Sequence, residues 1–142
     1  MKLELEVTGP VPAPVDKIVN LARDDDDVMA VALYGSYVRG EYSGISDLDV
    51  CIFLIPRARQ LERMHEKRMK YTEVAANDKI DVQVFHLLPL PVRSTILKDA
   101  KMVLVKDESA IYELAFETIK DWEAFRKHYD EYLHGIENAE SR

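Results

Sequence analysis

The chain has few of the residues that mark secreted, membrane-spanning or nucleic-acid-binding proteins. Its single cysteine, Cys51, cannot form an internal disulfide, which favours a reducing compartment such as the cytoplasm. No apolar run approaches the roughly 20 residues that span a bilayer, so no membrane association is expected. The 19 basic residues are outnumbered by 26 acidic ones, and the net charge of −7 argues against general nucleic-acid binding.

The remaining composition suits one soluble domain over residues 1–142, since 47% of the residues are hydrophobic and 32% are charged. Strand and helix patterns alternate, which predicts an α/β or α+β fold: a mixed sheet of four to five strands backed by helices, with a long C-terminal helix. Strands are predicted near residues 3–7, 28–34, 50–55, 79–85 and 101–106. Helices are predicted at about 14–23, 58–75 and 92–98, and from Asp107 or Ser109 to about Leu133.

The most informative stretch joins two of the predicted strands. Gly35-Ser36 is followed, after ten residues, by Asp47-Leu48-Asp49. A Gly-Ser turn leaving a strand can offer backbone N–H groups and a hydroxyl to a phosphate. Two Asp at i and i+2 share one strand face and repel each other unless a cation neutralises them, for which Mg²⁺ bridging to substrate phosphates is the usual solution. The pattern therefore predicts phosphoryl or nucleotidyl transfer rather than a polar loop with two surface carboxylates.

A third carboxylate follows on the strand predicted at 79–85. Asp81 points away from the apolar side of that strand, because apolar and polar residues alternate there. If this strand pairs beside the one that carries Asp47 and Asp49, three carboxylates converge on one surface, which is what a two-metal centre requires. The nearby Asp78 is the competitor, but it lies in a predicted turn, so Asp81 is preferred.

Together these residues resemble the DNA polymerase β-type nucleotidyltransferase superfamily, and within it the minimal nucleotidyltransferases, which are little more than the catalytic palm. The segment 121–129 is similar to the tail of an antitoxin branch, whose members pair with a HEPN-domain toxin and transfer AMP from ATP to a toxin tyrosine. The resemblance implies a polymerase β-like palm, ATP as substrate and two Mg²⁺ ions. It implies that Gly35 and Ser36 bind the triphosphate, that Asp47 and Asp49 ligate Mg²⁺, and that Asp81 is the third ligand and activates the acceptor.

The role of Arg39 within this pattern has two interpretations. Its guanidinium can pair with a phosphate in a bidentate manner, or it can lock the short helix in which it lies. The sequence does not separate the two, so Arg39 is kept as a candidate nucleotide-binding residue.

Three functions of the protein remain open. The first is an AMP-transferase that acts as antitoxin on a HEPN-domain partner by in-line attack on the α-phosphorus of ATP. Length favours it, because relatives that modify aminoglycosides or extend polynucleotides usually carry a second substrate domain that 142 residues cannot contain. The second is a binding protein that masks a toxin sterically and does not use its own active site to do so. The third is transfer to a small molecule, with the acceptor site built in a homo-oligomer.

Two charged segments receive a plain interpretation. Asp24 to Asp27 are consecutive and do not share a face, so a solvated loop is expected rather than a metal site. Residues 57–70 carry six basic and two acidic side chains. A solvated helix face is the expected role of that segment, and binding of nucleotide phosphates or of an acidic partner is the alternative.

The C-terminal helix holds half of the chain's aromatic residues, and its apolar side chains form one stripe at helical spacing. We expect this stripe mainly to cover the sheet, with a partner or oligomer interface as a secondary role. Its members are Ile111, Leu114, Ile119, Trp122, Phe125, Tyr129 and Leu133.

Overall fold

The computed structural model describes residues 12–38, 40, 48–76 and 79–140. Helices and strands alternate along this part of the chain, with short 3-10 turns at 13–15, 35–37, 56–58 and 85–87. The strand predicted near residues 3–7 lies outside the described residues. The elements are α1 (Asp16–Asp24), β1 (Val28–Tyr34), β2 (Leu48–Leu54), α2 (Leu61–Ala75), β3 (Ile80–Val84), α3 (Leu90–Asp99), β4 (Lys101–Val105) and α4 (Glu108–Glu140).

The strands among the described residues form one mixed sheet in the order β3-β2-β1-β4. The central strand β1 runs antiparallel to both β2 and β4, whereas β2 and β3 are parallel. Parallel neighbours need a crossover connection, and α2 supplies it between β2 and β3. The predicted mixed sheet backed by helices and the predicted long C-terminal helix are confirmed.

Each face of the sheet is covered by a pair of helices. The α1/α2 face packs against Ile18, Ala22, Met64 and Tyr71, and the α3/α4 face packs against Ile96, Ile111 and Leu114. The central strands β1 and β2 are therefore buried on both sides, which explains their nearly continuous apolar sequences.

The acidic run expected to be a solvated loop is instead tied to the basic segment. Lys67 donates to both oxygens of Asp25, at 2.9 Å each, and lies 3.1 Å from Asp27. Tyr71 also donates to Asp25, at 2.8 Å, and Arg63 donates to Asp27, at 3.1 Å. The solvated-loop prediction was wrong for Asp25 and Asp27 because their partners lie on α2, about 40 residues away in sequence. Part of the basic segment thus neutralises the chain's own carboxylates, whereas Arg57, Arg63 and Lys70 are also exposed to solvent, as expected for a solvated helix face.

These contacts set the charge state of the buried carboxylates. Burial alone would raise the pKa of Asp25, but hydrogen bonds from Lys67, Tyr71 and the backbone of Asp27 lower it to about 2. A hydrogen bond from Lys67 likewise lowers the pKa of Asp27. Both groups remain ionised near neutral pH, so the cluster is a buried network of fixed charges that holds α2 against the turn between α1 and β1.

The helix α4 departs from expectation in its length and its packing. The Asp107 carboxylate accepts a hydrogen bond from the backbone N–H of Ala110 at 3.2 Å, and the helix begins at Glu108. It runs past the predicted end at Leu133 to Glu140, through Gly135. Residues 123–139 are all exposed, so the prediction that the aromatic stripe covers the sheet was wrong beyond Trp122. Among the described residues, no helix combines the length and apolarity needed to cross a membrane.

Candidate active site

The candidate site lies where β1 ends and β2 and β3 begin. In the sheet register, Asp49 of β2 is paired with Tyr34 of β1 on one side and with Asp81 of β3 on the other. Adjacent strands lie about 4.8 Å apart, so the two carboxylates are direct neighbours. The three side chains form one row on the α3/α4 face, because Asp49 alternates with the residues of β2 that face α1 and α2. The structure thus places β3 beside β2 and brings Asp81 to Asp49, as the sequence predicted.

The backbone of Gly35 leaves room for this carboxylate pair. Gly35 has φ +76°, a left-handed conformation that favours glycine. A side chain at position 35 would collide with the carboxylate of Asp49. Only glycine therefore lets the turn approach β2 this closely. Gly35 also begins the 3-10 turn that carries Ser36. Gly35, one of the predicted phosphate-binding residues, therefore lies directly against Asp49.

Two neighbours of the acidic pair were not predicted as site residues. The Gln83 side-chain amide donates to both oxygens of Asp81, at 3.2 Å each, and so fixes the orientation of that carboxylate. Burial, and after it the neighbouring acidic groups, raise the pKa of Tyr34, so its phenol stays protonated and is available as a donor. The alternation of Asp81 and Gln83 was visible in the sequence, but nothing local indicated that Tyr34 would lie across from Asp49.

A cavity of about 420 Å³ opens next to the acidic pair. It lies between the end of β1, the start of β2 and one side of α3, and its volume is within the range of small-molecule sites. Its wall combines the polar groups of the site with apolar side chains from the helix. The lining residues are Tyr34, Gly35, Asp49, Pro91, Val92, Thr95, Ile96 and Asp99.

Two predicted site residues, Asp47 and Arg39, lie outside the described residues, and their roles stay predictions. Within the described ranges, no group of three or more His, Cys, Asp or Glu side chains is placed to hold a metal ion. The residues present nevertheless fit Mg²⁺, because neighbouring carboxylates on β2 and β3 offer hard oxygen ligands. Two of the three predicted ligands, Asp49 and Asp81, thus lie within the described residues.

The other acidic cluster does not offer a comparable site. A cavity of about 380 Å³ is lined by the Asp24–Asp27 loop together with Arg57 and Lys70. The inner carboxylates of that loop are bound by Lys67 and Arg63, so their charge is already balanced by protein cations. The acidic pair on β2 and β3 is therefore the better candidate for metal and phosphate chemistry.

Gly35→Ala should abolish most of the activity of this site while leaving the chain folded. The substitution strains the backbone by about 1–2 kcal/mol and drives a methyl group into the Asp49 carboxylate. We expect the activity of this site to fall at least about 100-fold in a steady-state assay, the scale at which a misplaced catalytic group costs rate.

Gly40→Ala is the matched control for this prediction. Gly40 also has φ +76°, but a side chain there would meet nothing within 4 Å. It therefore carries the backbone strain without the collision. Equal losses of activity in Gly35→Ala and Gly40→Ala would show that the contact with Asp49 is irrelevant.

A mixed sheet that brings carboxylates on adjacent strands against a glycine-serine turn defines a nucleotidyltransferase palm. The chain belongs to the polymerase β nucleotidyltransferase family, whose model matches residues 16–109. It is 32% identical to MJ1547 of Methanocaldococcus jannaschii, described as a protein adenylyltransferase. The alignment of 100 residues covers 70% of this chain and 74% of that protein. The enzyme class is therefore nucleotidyltransferase.

Solved structures share the fold at low sequence identity. A toxin-antitoxin structure with AMP-PNP aligns with a TM-score of 0.66 and 17% identity. The alignment covers 85% of this chain and 96% of the chain in that structure. A structure of the MNT antitoxin in complex with a tri-AMPylated HEPN toxin of Shewanella oneidensis aligns with a TM-score of 0.62 and 15% identity. The alignment covers 87% of this chain and 95% of the chain in that structure. These likenesses establish the nucleotidyltransferase palm as the fold of this chain.

Proposed function

We propose that this protein transfers AMP from ATP to a tyrosine hydroxyl of a HEPN-domain toxin in the cytoplasm, with Mg²⁺, and so acts as its antitoxin. The observation that carries the proposal is the pairing of Asp49 with Asp81 beside Gly35, whose backbone lies directly against the Asp49 carboxylate. Support for the protein acceptor comes from the relative described as a protein adenylyltransferase and from structural neighbours that are antitoxins in complex with HEPN toxins.

The layout of the site supports the proposed roles of Asp49, Asp81 and Gly35, and the sequence pattern supports those of Asp47, Ser36 and Arg39. Asp49 and Asp81, with Asp47, hold two Mg²⁺ ions, and Gln83 keeps the Asp81 carboxylate in position. Gly35 and Ser36, with Arg39, bind the triphosphate. When bound, Mg²⁺ neutralises the phosphate charge and lowers the pKa of the attacking hydroxyl.

The two substrates approach the site from different sides. The nucleoside of ATP occupies the cavity between the end of β1 and α3, next to Asp49. The acceptor comes from the side of β3, which is an outer strand of the described sheet and carries Asp81. The acceptor hydroxyl gives its proton to the Asp81 carboxylate, and its oxygen forms a bond to the α-phosphorus. The bond from the α-phosphorus to the bridging oxygen breaks, and pyrophosphate leaves. The protein contributes positioning and charge neutralisation, which are the main sources of catalysis in such transfers.

Access to Asp81 favours a protein acceptor over a small molecule. Asp81 is half-buried on the outermost described strand, so a tyrosine on a partner's surface can reach it without entering a closed cavity. A small acceptor would need its own enclosing wall on that side. The cavity of about 420 Å³ lies on the other side of Asp49, beside α3.

The test is transfer of label from α-labelled ATP to a HEPN-domain protein from the same genome, with Mg²⁺ and purified components. We expect one partner tyrosine to become labelled and the toxin to lose activity. Full neutralisation of the toxin without label would favour steric masking. Label found only on a small metabolite would favour a small-molecule acceptor.

Thr95→Trp should weaken ATP binding selectively. Thr95 lines the cavity proposed for the nucleoside, and an indole there would fill much of its volume. We expect the KM for ATP to rise about tenfold, equivalent to about 1.4 kcal/mol, with a smaller change in kcat. Thr95→Ser keeps the hydroxyl and the space, and should behave as the unmodified protein. An unchanged KM in Thr95→Trp would place the nucleoside elsewhere.

A further inference from the structure

The C-terminal part of α4 extends beyond the body of the protein. Ile111, Leu114 and Thr118 are buried, whereas every residue from 123 to 139 is exposed. We call residues 123–139 the overhang. At 1.5 Å per residue it is about 25 Å long. This length is comparable to a whole helix of a small protein, and the described body of the protein buries none of these residues.

One face of the overhang is apolar and strongly aromatic. Phe125, Tyr129 and Tyr132 are 45%, 50% and 63% exposed, and Ile136 is 38% exposed. The rings of Trp122 and Phe125 stack with centroids 5.7 Å apart, and those of Phe125 and Tyr129 with centroids 6.1 Å apart. The stacking arranges the rings as a continuous ridge, which fixes their orientation before any partner arrives.

The ridge continues the face by which α4 packs on its own sheet. Residues 111, 115 and 118 are buried, and 122, 125, 129, 132 and 136 follow them with alternating steps of three and four. This is the spacing of a helix face that packs against other helices. The same face of α4 is thus buried where it packs on the rest of the protein and exposed to solvent beyond that point.

The exposed apolar area is as large as the patches that often prove functional on monomeric proteins. An aromatic side chain presents about 150–250 Å², so the ridge with Leu133 exposes on the order of 500 Å². Apolar patches of about 300–600 Å² are the largest found on monomeric proteins and are often functional. The overhang therefore fits an interaction surface better than a solvated helix end.

A second copy of the chain is a weaker occupant of this surface. The exposed seam spans only about two heptads, whereas a coiled coil needs about three to four. Two overhangs packed on each other would bury at most about 1,000 Å² in total, below the roughly 1,200–2,000 Å² of stable specific interfaces. A groove between helices is the better fit, because it covers the flanks of an inserted helix as well as its ridge.

We propose that the overhang inserts its aromatic ridge into an apolar groove of a helical partner protein, the same HEPN-domain protein whose tyrosine is modified. This inference rests on the proposed function for the identity of the partner. Phe125 and Tyr129 are the central anchors, because aromatic residues near the middle of an interface carry most of its binding energy. Docking at the overhang keeps the acceptor near the site and raises its effective concentration.

The test compares two double variants of the full chain. Phe125→Ala with Tyr129→Ala removes the centre of the ridge. Lys127→Ala with Glu131→Ala changes the opposite, polar side of the same two turns and leaves the net charge unaltered. The probe is the HEPN-domain protein of the same genome, with binding measured by calorimetry and helix content by circular dichroism. Tyr132→Ser provides a milder third variant.

We expect the ridge variant to raise the Kd for the partner at least about 100-fold and Tyr132→Ser to raise it about tenfold, with the control within twofold of the unmodified chain. The KM for the partner should rise in step with the Kd, while the KM for ATP stays unchanged. Partner binding that is unchanged in the ridge variant, or absent in the unmodified chain, overturns the inference. So does a dimer that the ridge variant dissociates without loss of partner binding.

Failure of the proposed function is distinguishable from failure of this inference. If the unmodified chain binds the HEPN-domain protein but transfers no AMP to it, the proposed activity falls. The docking inference is then decided by the Kd values alone, since they do not depend on catalysis. If AMP transfer occurs and the ridge variant binds normally, the docking inference falls and the activity stands.

Discussion

Asp49→Asn should lower AMP transfer at least about 1,000-fold while leaving the protein as stable as before or more so. Asp49 lies between Tyr34 and Asp81 in the sheet register, so its charge belongs to the centre of the site. An amide of the same shape removes that charge with almost no change in packing. Loss of one well-placed electrostatic group costs about 100- to 1,000-fold in rate, and loss of a metal ligand costs more.

Asp49→Asn should lower activity without lowering stability, which distinguishes it from a variant that merely misfolds. Two neighbouring carboxylates repel each other when no cation lies between them, so neutralising one should relieve the folded state. We expect the Tm of Asp49→Asn, measured without Mg²⁺, to equal or exceed that of the unmodified protein. Asp24→Asn, a change at an exposed position of the acidic loop, is the control and should retain full activity. Retained transfer in Asp49→Asn would remove the basis of the proposed mechanism.

Lys67→Met should destabilise the fold by about 3–5 kcal/mol. Lys67 bridges Asp25 and Asp27, and the exposed fractions of the three side chains are only 14%, 7% and 11%. Removing the cation leaves two buried carboxylates without their main partner, which is far more costly than losing a surface pair. The measurement is the free energy of unfolding in urea at pH 7.

Lys70→Met is the matched control for this second prediction. Lys70 lies on the same helix and is 3.6 Å from Asp25, but it is 47% exposed. Its loss should cost less than about 1 kcal/mol, as expected for a surface ion pair. Similar effects of the two substitutions would show that burial of the cluster does not determine its contribution.

The same cluster predicts how stability depends on pH. The pKa of Asp25 is about 2 in the folded protein against an ordinary value of 3.8. Such a lowered pKa contributes stability that is fully present above 3.8 and is lost as the pH falls through about 2. The difference between Lys67→Met and the unmodified protein should therefore shrink between pH 5 and pH 2, and a constant difference would contradict the assigned ion pair.

Local patterns were sufficient for the sheet and for the part of the site that lies on it. The apolar run at 28–34 matches β1 residue for residue, and alternation around Asp81 placed that side chain on the correct face of β3. Both results follow from the period of two that a strand imposes on its side chains. Asp49 and Asp81 then met because β3 pairs beside β2.

Features that depend on distant partners were not accessible in this way. Nothing in the Asp24–Asp27 run indicates that a lysine 42 residues later will bind Asp25. The apolar stripe of α4 has helical spacing throughout, yet only the positions of surrounding elements decide where it stops being covered. For the same reason, sequence alone did not place Thr95 of α3 beside Gly35 and Asp49 in one cavity.

Paramagnetic broadening of amide NMR signals by Mn²⁺, used in place of Mg²⁺ with a non-hydrolysable ATP analogue, tests the central claim most directly. The account predicts selective broadening around Gly35, Asp49 and Asp81, and its loss in Asp49→Asn with Asp81→Asn. Broadening centred on the Asp24–Asp27 loop, or unchanged in that double variant, would contradict the account.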